Sequence, residues 1–181
     1  GWADAEGSTP IEVVTAGLSR EVRCTFGLTI VPDRLINEVD PLAFDALAVP
    51  GGFEEHGYYE EAYSPALGGL IRDFDGLQRP IASICGGALP VAASGALDGR
   101  CATTYHLDGS PRRRQLAEFD VTVVDRPIVR DGHVITSTAP STAIDVALAL
   151  LEDLTDRSNA ERIRMLMGFG PTSDPEPPDS V

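Results

Sequence analysis

The stretch "RPIASICGGALPVAASGALDGRCATTYH", residues 79–106, carries the reading of the fold. Its run "IASI", residues 81–84, is apolar on both faces, which suits a strand covered by helices on two sides. The run delivers Cys85 directly onto Gly86-Gly87, and a small, apolar segment through Leu97 then predicts a buried helix packed tightly on a sheet. Cys85 therefore stands at a strand-to-helix elbow. Such a corner projects a side chain into a cleft. Backbone N–H groups and the helix dipole there predict a thiol pKa below the ordinary value and Cys85 as the most reactive thiol of the chain. Gly86 and Gly87 leave room for close approach of backbone or substrate. The ordinary fate of a free cysteine is that of a small buried hydrophobe, and its place at the elbow is the argument against that fate.

Similar runs surround this one. "IEVVTA" (11–16), "LTIV" (28–31) and "ALAV" (46–49) read as strands, the last ending in Pro50-Gly51-Gly52. "CATT" (101–104), "VTVV" (121–124) and "HVIT" (133–136) complete the set. Asp131-Gly132 predicts a tight turn joining "PIVR" to "HVIT" as a hairpin. Helices are predicted over 59–74, with Leu67, Leu70 and Ile71 on one face, and from Pro140, with Ile144, Ala147, Leu148, Leu151 and Leu154 recurring at helical spacing. A last helix capped by Ser158 runs to about Phe169, with Ile163 and Leu166 inward. Alternating strands and helices with short connections predict one α/β domain over residues 1–169 with a mainly parallel sheet. Sites in such sheets form beyond the carboxyl ends of the strands, where Gly52 and Cys85 both stand. The tail, residues 170–181, is rich in proline and acid and is predicted to be disordered.

With 14 Lys+Arg against 28 Asp+Glu, the net charge of -14 argues against a nucleic-acid partner. The basic run Arg112-Arg113-Arg114 reads as a solvated helix face or a set of salt bridges rather than an anion site. Three cysteines without paired spacing predict neither a disulfide framework nor a metal site, and favour a reducing cytoplasm. No apolar run has the length of a membrane helix, and no signal peptide is visible. No cofactor is expected.

Three segments, "ALAVPGGFEE", "IASICGGALPVAASGALDGRCATTYH" and "GHVITSTAPSTAIDVALALLEDL", together resemble the ThiJ/PfpI superfamily, whose members include deglycase-like proteins and relatives of the class I glutamine amidotransferase domain. The resemblance runs from about Ile11 to Phe169. It implies a flavodoxin-like three-layer sandwich, usually a homodimer, with Cys85 as the elbow cysteine and with Gly51, Gly52 and Gly86 around the oxyanion position. Protease-like branches carry histidine directly after the nucleophile. Gly86 stands here, which points away from a peptidase. Many members have histidine after the "TT" pair, where this chain has Tyr105 and then His106; Tyr105 takes the family histidine's place, and His106 faces either toward or away from the site. The resemblance also implies a first strand and helix ahead of residue 1, with an acidic partner for the cysteine, and residues 1–7 resemble that helix's end. Glu54 and Glu55 read as a solvated loop, His56, Tyr58 and Tyr59 as entrance or loop packing, and His133 as part of the hairpin. Cys24 and Cys101 read as strand cysteines.

These features predict a cysteine-dependent hydrolase or lyase acting on a small electrophile. An isonitrile is one candidate, since Gly86 and the "ATT" segment resemble the isonitrile-hydratase branch, and an α-oxoaldehyde is the other. The alternatives are a non-enzymatic sensor of oxidative stress, through sulfenic or sulfinic acid at Cys85, and a domain that senses a small ligand.

Overall fold

Two-residue strands open the chain in the computed structural model, which describes residues 11–107 and 109–170. Strand β1 (Ala16–Gly17) pairs in parallel with β4 (Arg34–Leu35), while β2 (Val22–Arg23) and β3 (Thr29–Ile30) form a small antiparallel hairpin. The strand expected over 11–16 is thus laddered only at its end. Thr15 extends the pairing, its carbonyl accepting from the Arg34 N–H at 3.1 Å and its N–H donating to the Asp33 carboxylate at 2.8 Å. The strand expected at 28–31 joins the hairpin instead of the central sheet. The helix end expected in residues 1–7 lies outside the described residues, as do residues 171–181 of the tail.

The central sheet comes next. It is built from β5 (Leu47–Val49), β6 (Ile81–Ile84), β9 (Ile128–Asp131) and β10 (Val134–Ser137), in the order β5-β6-β10-β9. β5, β6 and β10 are parallel, and β9 closes the sheet antiparallel through the Asp131-Gly132 turn, where Gly132 takes φ +60°. Strand β7 (Arg100–Ala102) pairs in parallel with β8 (Val121–Val123) and meets β10 through side chains, the Thr103 N–H donating to the Thr136 hydroxyl at 2.9 Å.

Side chains alternate across the sheet as strand geometry requires. Ile81 and Val134 face one core with Leu70, Ile71, Phe74, Leu89 and Leu116. Ala82 and Ile135 face the other with Val146, Ala149 and Leu150. Helices α2 (Pro65–Gly76), α3 (Ala88–Ala93) and α4 (Arg112–Leu116) supply the first core, α5 (Ala143–Leu154) supplies the second, and α6 (Arg157–Leu166) packs on α5. The result is a three-layer, mostly parallel α/β sandwich.

Helix limits differ from the sequence reading for local reasons. The helix expected over 59–74 is two: a short α1 (Tyr58–Ala62), then α2. Pro65 cannot continue a hydrogen-bonded turn, and Ser64 caps the new helix, accepting from the Leu67 N–H. The helix expected over 86–97 begins as a single tight turn at Cys85–Gly87 and stops at Ala93, where Gly95 turns left-handed at φ +91°. In α5 the inward stripe is Val146 and Leu151, both buried, with Ala149 and Leu150 partly buried, while Ile144 and Ala147 are exposed, because a helix apolar nearly all round leaves its phase open. Asp156, not Ser158, caps α6, and Leu166 is exposed.

At the amino ends of the strands, the Asp75 carboxylate joins three elements. Its Oδ1 lies 3.0 Å from Arg100 Nη2 and 2.9 Å from His133 Nε2. It therefore ties α2 to the start of β7 and to the β9–β10 turn. Hydrogen bonds to a charged partner contribute about 1.5–3 kcal/mol each, so Asp75→Asn should cost about 2 kcal/mol. In a chain of this size that lowers the melting temperature by roughly 4–8 °C, read by calorimetry. An unchanged melt would mean that solvent screens the cluster.

Candidate active site

Cys85 follows Ile84, which is still extended at φ -122°, and itself takes φ +58°, in the left-handed region that side-chain-bearing residues avoid. The strained turn is the expected elbow. The Thr104 hydroxyl holds it by donating to the Cys85 carbonyl at 2.8 Å, and the neighbouring Gly86 N–H pulls the thiol pKa down. Gly51 is pressed against the same corner: a Cβ there would come within 2.7 Å of the Ile84 carbonyl oxygen and 2.9 Å of Cys85 Cβ. Gly52 lies under the Tyr58 ring, whose hydroxyl donates to the Pro50 carbonyl at 2.6 Å. The carbonyl oxygen of Gly52 faces Gly86, 3.7 Å from where a Cβ on that residue would lie.

Beside the elbow is a group of residues that the sequence reading left outside. A Cβ on Gly86 would sit 2.3 Å from the Tyr59 hydroxyl, so Tyr59 fills the space that a side chain at position 86 would need. The Arg112 guanidinium lies over the Tyr59 ring, 4.4 Å from its centroid, and Tyr63 stacks with the same ring at 5.7 Å. Arg112 also donates to Glu54 at 2.6 Å and to Gln115 at 2.8 Å, with its side chain only 13% exposed. The basic run is thus divided: Arg113 makes the expected surface pair with Asp125, while Arg112 turns into the site. No local signal marks this, because Glu54 and Arg112 are far apart in the chain.

The thiol's electrostatics correct one expectation. Burial pushes the Cys85 pKa above its ordinary value, outweighing the Gly86 N–H and the Arg112 charge, which both pull it down. Burial likewise pushes the Tyr59 hydroxyl up to about 12 despite Arg112, and raises Tyr58. Among the described residues no carboxylate hydrogen-bonds Cys85. The alkylation rate of Cys85 should therefore climb roughly tenfold per pH unit, in proportion to thiolate, and level off only above about pH 9. A plateau near neutrality, measured by timed labelling and mass spectrometry, would show a thiolate stabilised against its burial.

Tyr105 is half-buried just beyond Thr104 and His106 is exposed; neither hydrogen-bonds Cys85 among the described residues. His133 belongs to the Asp75 cluster at the other end of the sheet. Cys101 is exposed on β7, and Cys24 follows β2 at the hairpin's turn. Among the described residues, no group of His, Cys, Asp or Glu is arranged to hold a metal ion, and no helix is long and apolar enough to cross a membrane.

Residues 4–153 match the DJ-1/PfpI family. The chain belongs to that family. Protein dj-1beta of Drosophila melanogaster is 30% identical over 163 residues, which cover 89% of this chain and 84% of that protein. A glutathione-independent glyoxalase of Caenorhabditis elegans is 31% identical, over 80% of this chain and 74% of its own length. An isonitrile hydratase of Pseudomonas putida is 29% identical, over 83% of this chain and 62% of its own. The crystal structure of the Drosophila protein superposes with a TM-score of 0.74 at 27% identity, covering 83% of this chain and 78% of that one. The DJ-1/PfpI fold of this chain thus carries the half-buried cysteine on its strained elbow.

Proposed function

We propose that this protein is a cysteine-dependent enzyme acting on a small electrophile, an isonitrile or an α-oxoaldehyde. The observation that carries the reading is Cys85 at φ +58° on the turn that follows the carboxyl end of β6. The similarity to proteins named glyoxalase and isonitrile hydratase supports the choice of electrophile.

In the isonitrile reaction the thiol adds across the isonitrile carbon. The sulfur bonds that carbon, the carbon gains a proton, and a thioformimidate results. Water then adds to the same carbon, the C–S bond breaks, and an N-substituted formamide leaves as the thiol is restored. A thiol whose pKa is raised suits this addition, because proton and sulfur go to one carbon. In the oxoaldehyde reaction the sulfur adds to the aldehyde to give a hemithioacetal. A hydrogen moves to the neighbouring carbonyl carbon, and water releases a hydroxy acid. We assign the developing oxyanion to the N–H groups of Gly86 and Gly52, and proton transfer to Tyr105, with His106 exchanging protons with solvent. Homodimeric assembly in the cytoplasm belongs to the same proposal.

Turnover of methylglyoxal, glyoxal, alkyl isonitriles and fluorogenic peptides tests the reading. Small electrophiles should be consumed and peptides left intact. Peptide hydrolysis that survives Cys85→Ala, or no turnover of any small electrophile, would overturn it. The oxidation-sensor reading draws less support, because burial lowers the thiolate fraction on which oxidation depends.

A further inference from the structure

We infer that Tyr59 and Arg112 form an anion clamp beside Cys85, so that the electrophile this site takes carries a carboxylate close to its reacting carbon. The inference names the substrate class of the function proposed above and rests on it for turnover, though not for the anion preference itself.

The Tyr59 hydroxyl is buried and makes no hydrogen bond among the described residues. A buried hydroxyl in that state is costly, and a ligand oxygen would satisfy it. It lies directly over Gly86, the residue that follows Cys85 in the elbow turn. Its ring is in contact with the Arg112 guanidinium, 4.4 Å from the centroid, and with the neighbouring tyrosines, Tyr58 edge-on at 4.9 Å and Tyr63 stacked at 5.7 Å. The hydroxyl is thereby fixed in place before any ligand arrives.

Arg112 supplies the charge. Its side chain is 13% exposed, whereas its partner Glu54 is 65% exposed and sits on a single tight turn, Glu54–His56. The guanidinium is the anchored member of the pair and the carboxylate the exchangeable one. An exposed carboxylate is a weak partner that solvent screens. A substrate carboxylate could replace it on the guanidinium fork and gain the Tyr59 hydroxyl as well. The setting sharpens the contrast. A chain with a net charge of -14 repels anions in general, so any preference for them at Cys85 must be local.

Peptide-resolved alkylation of Cys85 by iodoacetate and by iodoacetamide at low ionic strength reads this directly. In both reactions the sulfur displaces iodide from carbon, and the thiolate fraction cancels in the ratio of rates. The iodoacetate-to-iodoacetamide ratio should exceed that of 2-mercaptoethanol by about tenfold, the gain expected of one charge-assisted hydrogen bond. Arg112→Met and Tyr59→Phe should each bring the ratio down, and Arg112→Lys should keep part of it. Glu54→Gln, an exposed change that removes the competing carboxylate, should raise it. A wild-type ratio at or below that of the small thiol, a ratio unmoved by Arg112→Met, or a fall with Glu54→Gln would each overturn the clamp. Turnover completes the test: isocyanoacetate, giving N-formylglycine, should outpace its methyl ester, and 4,5-dioxopentanoate should outpace methylglyoxal. Charge discrimination in alkylation with no turnover of any probe would leave the clamp standing and remove the enzymatic reading. Turnover of the neutral probes without charge discrimination would do the reverse.

Discussion

In the proposed mechanism Cys85 forms the covalent intermediate, so Cys85→Gly and Cys85→Ala should both lose turnover by at least about a thousandfold. The two variants should nevertheless differ in stability, and in the opposite order to the usual one. Glycine generally weakens a regular backbone relative to alanine by roughly 0.5–1 kcal/mol, because it has more freedom to lose. At φ +58° the order reverses, because a Cβ in the left-handed region meets the backbone at a cost of roughly 1–2 kcal/mol. The glycine variant should therefore be the more stable by about 1 kcal/mol, measured by urea unfolding with unchanged slope. Equal stabilities would show that the elbow relaxes to an ordinary φ once the sulfur is gone.

Gly87→Ala should be among the most damaging single-methyl changes in the chain. Gly87 has φ -62°, a conformation alanine adopts freely, so backbone strain is not the cause. The obstacle is space. A Cβ at Gly87 would lie 2.7 Å from the Val49 carbonyl oxygen and 2.9 Å from that of Pro50, backbone atoms of the last residue of β5 and the one after it, which cannot swing aside as a side chain can. Forcing atoms into such a packed position costs about 3 kcal/mol, equivalent to roughly 6–12 °C in melting temperature. Gly76→Ala is the matched control. Nothing lies within 4 Å of its Cβ position near the end of α2, so it should stabilise by about 0.5–1 kcal/mol. A mild Gly87→Ala would mean that α3 can slide along the sheet.

The sequence was legible where structure is set locally. The apolar run at 81–84, the following Cys-Gly-Gly corner and the Asp131-Gly132 hairpin all declare themselves within a few residues, and β6, the elbow and β9–β10 stand where they were expected. The break at Ser64-Pro65 was also written locally, but the apolar periodicity of 59–74 ran across it and masked it. Other features depend on contacts between distant segments. A short strand such as β4 exists only because Thr15 and Ala16 lie alongside it, and its own two residues, Arg34 and Leu35, carry no strand pattern. The thiol pKa went the other way from the sequence reading because burial, a property of the whole fold, outweighed the local N–H donor. Tyr59 and Arg112 were visible as residue types but not as neighbours. Only the fold brings the turn after β5, helix α1 and the start of α4 to one place.

The Asp75 cluster and Cys85 occupy opposite ends of the same sheet. Asp75, Arg100 and His133 gather at the amino ends of β6, β7 and β10, while the elbow leaves β6 at its carboxyl end. Four strand residues, about 13 Å at ordinary strand rise, separate the two. One end therefore acts as a foundation and the other as a workbench, and substitutions can be tolerated on different terms at each. Changes around Asp75 would be felt in how much folded protein survives heat or crowding, with each surviving molecule working at its normal rate. Changes to the side chains that face the Cys85 sulfur, as distinct from the close-packed elbow glycines such as Gly87, would leave the amount of protein nearly constant and alter what each molecule can do. Divergence toward new substrates could then proceed on the upper rim of the sheet without first renegotiating the stability of the whole.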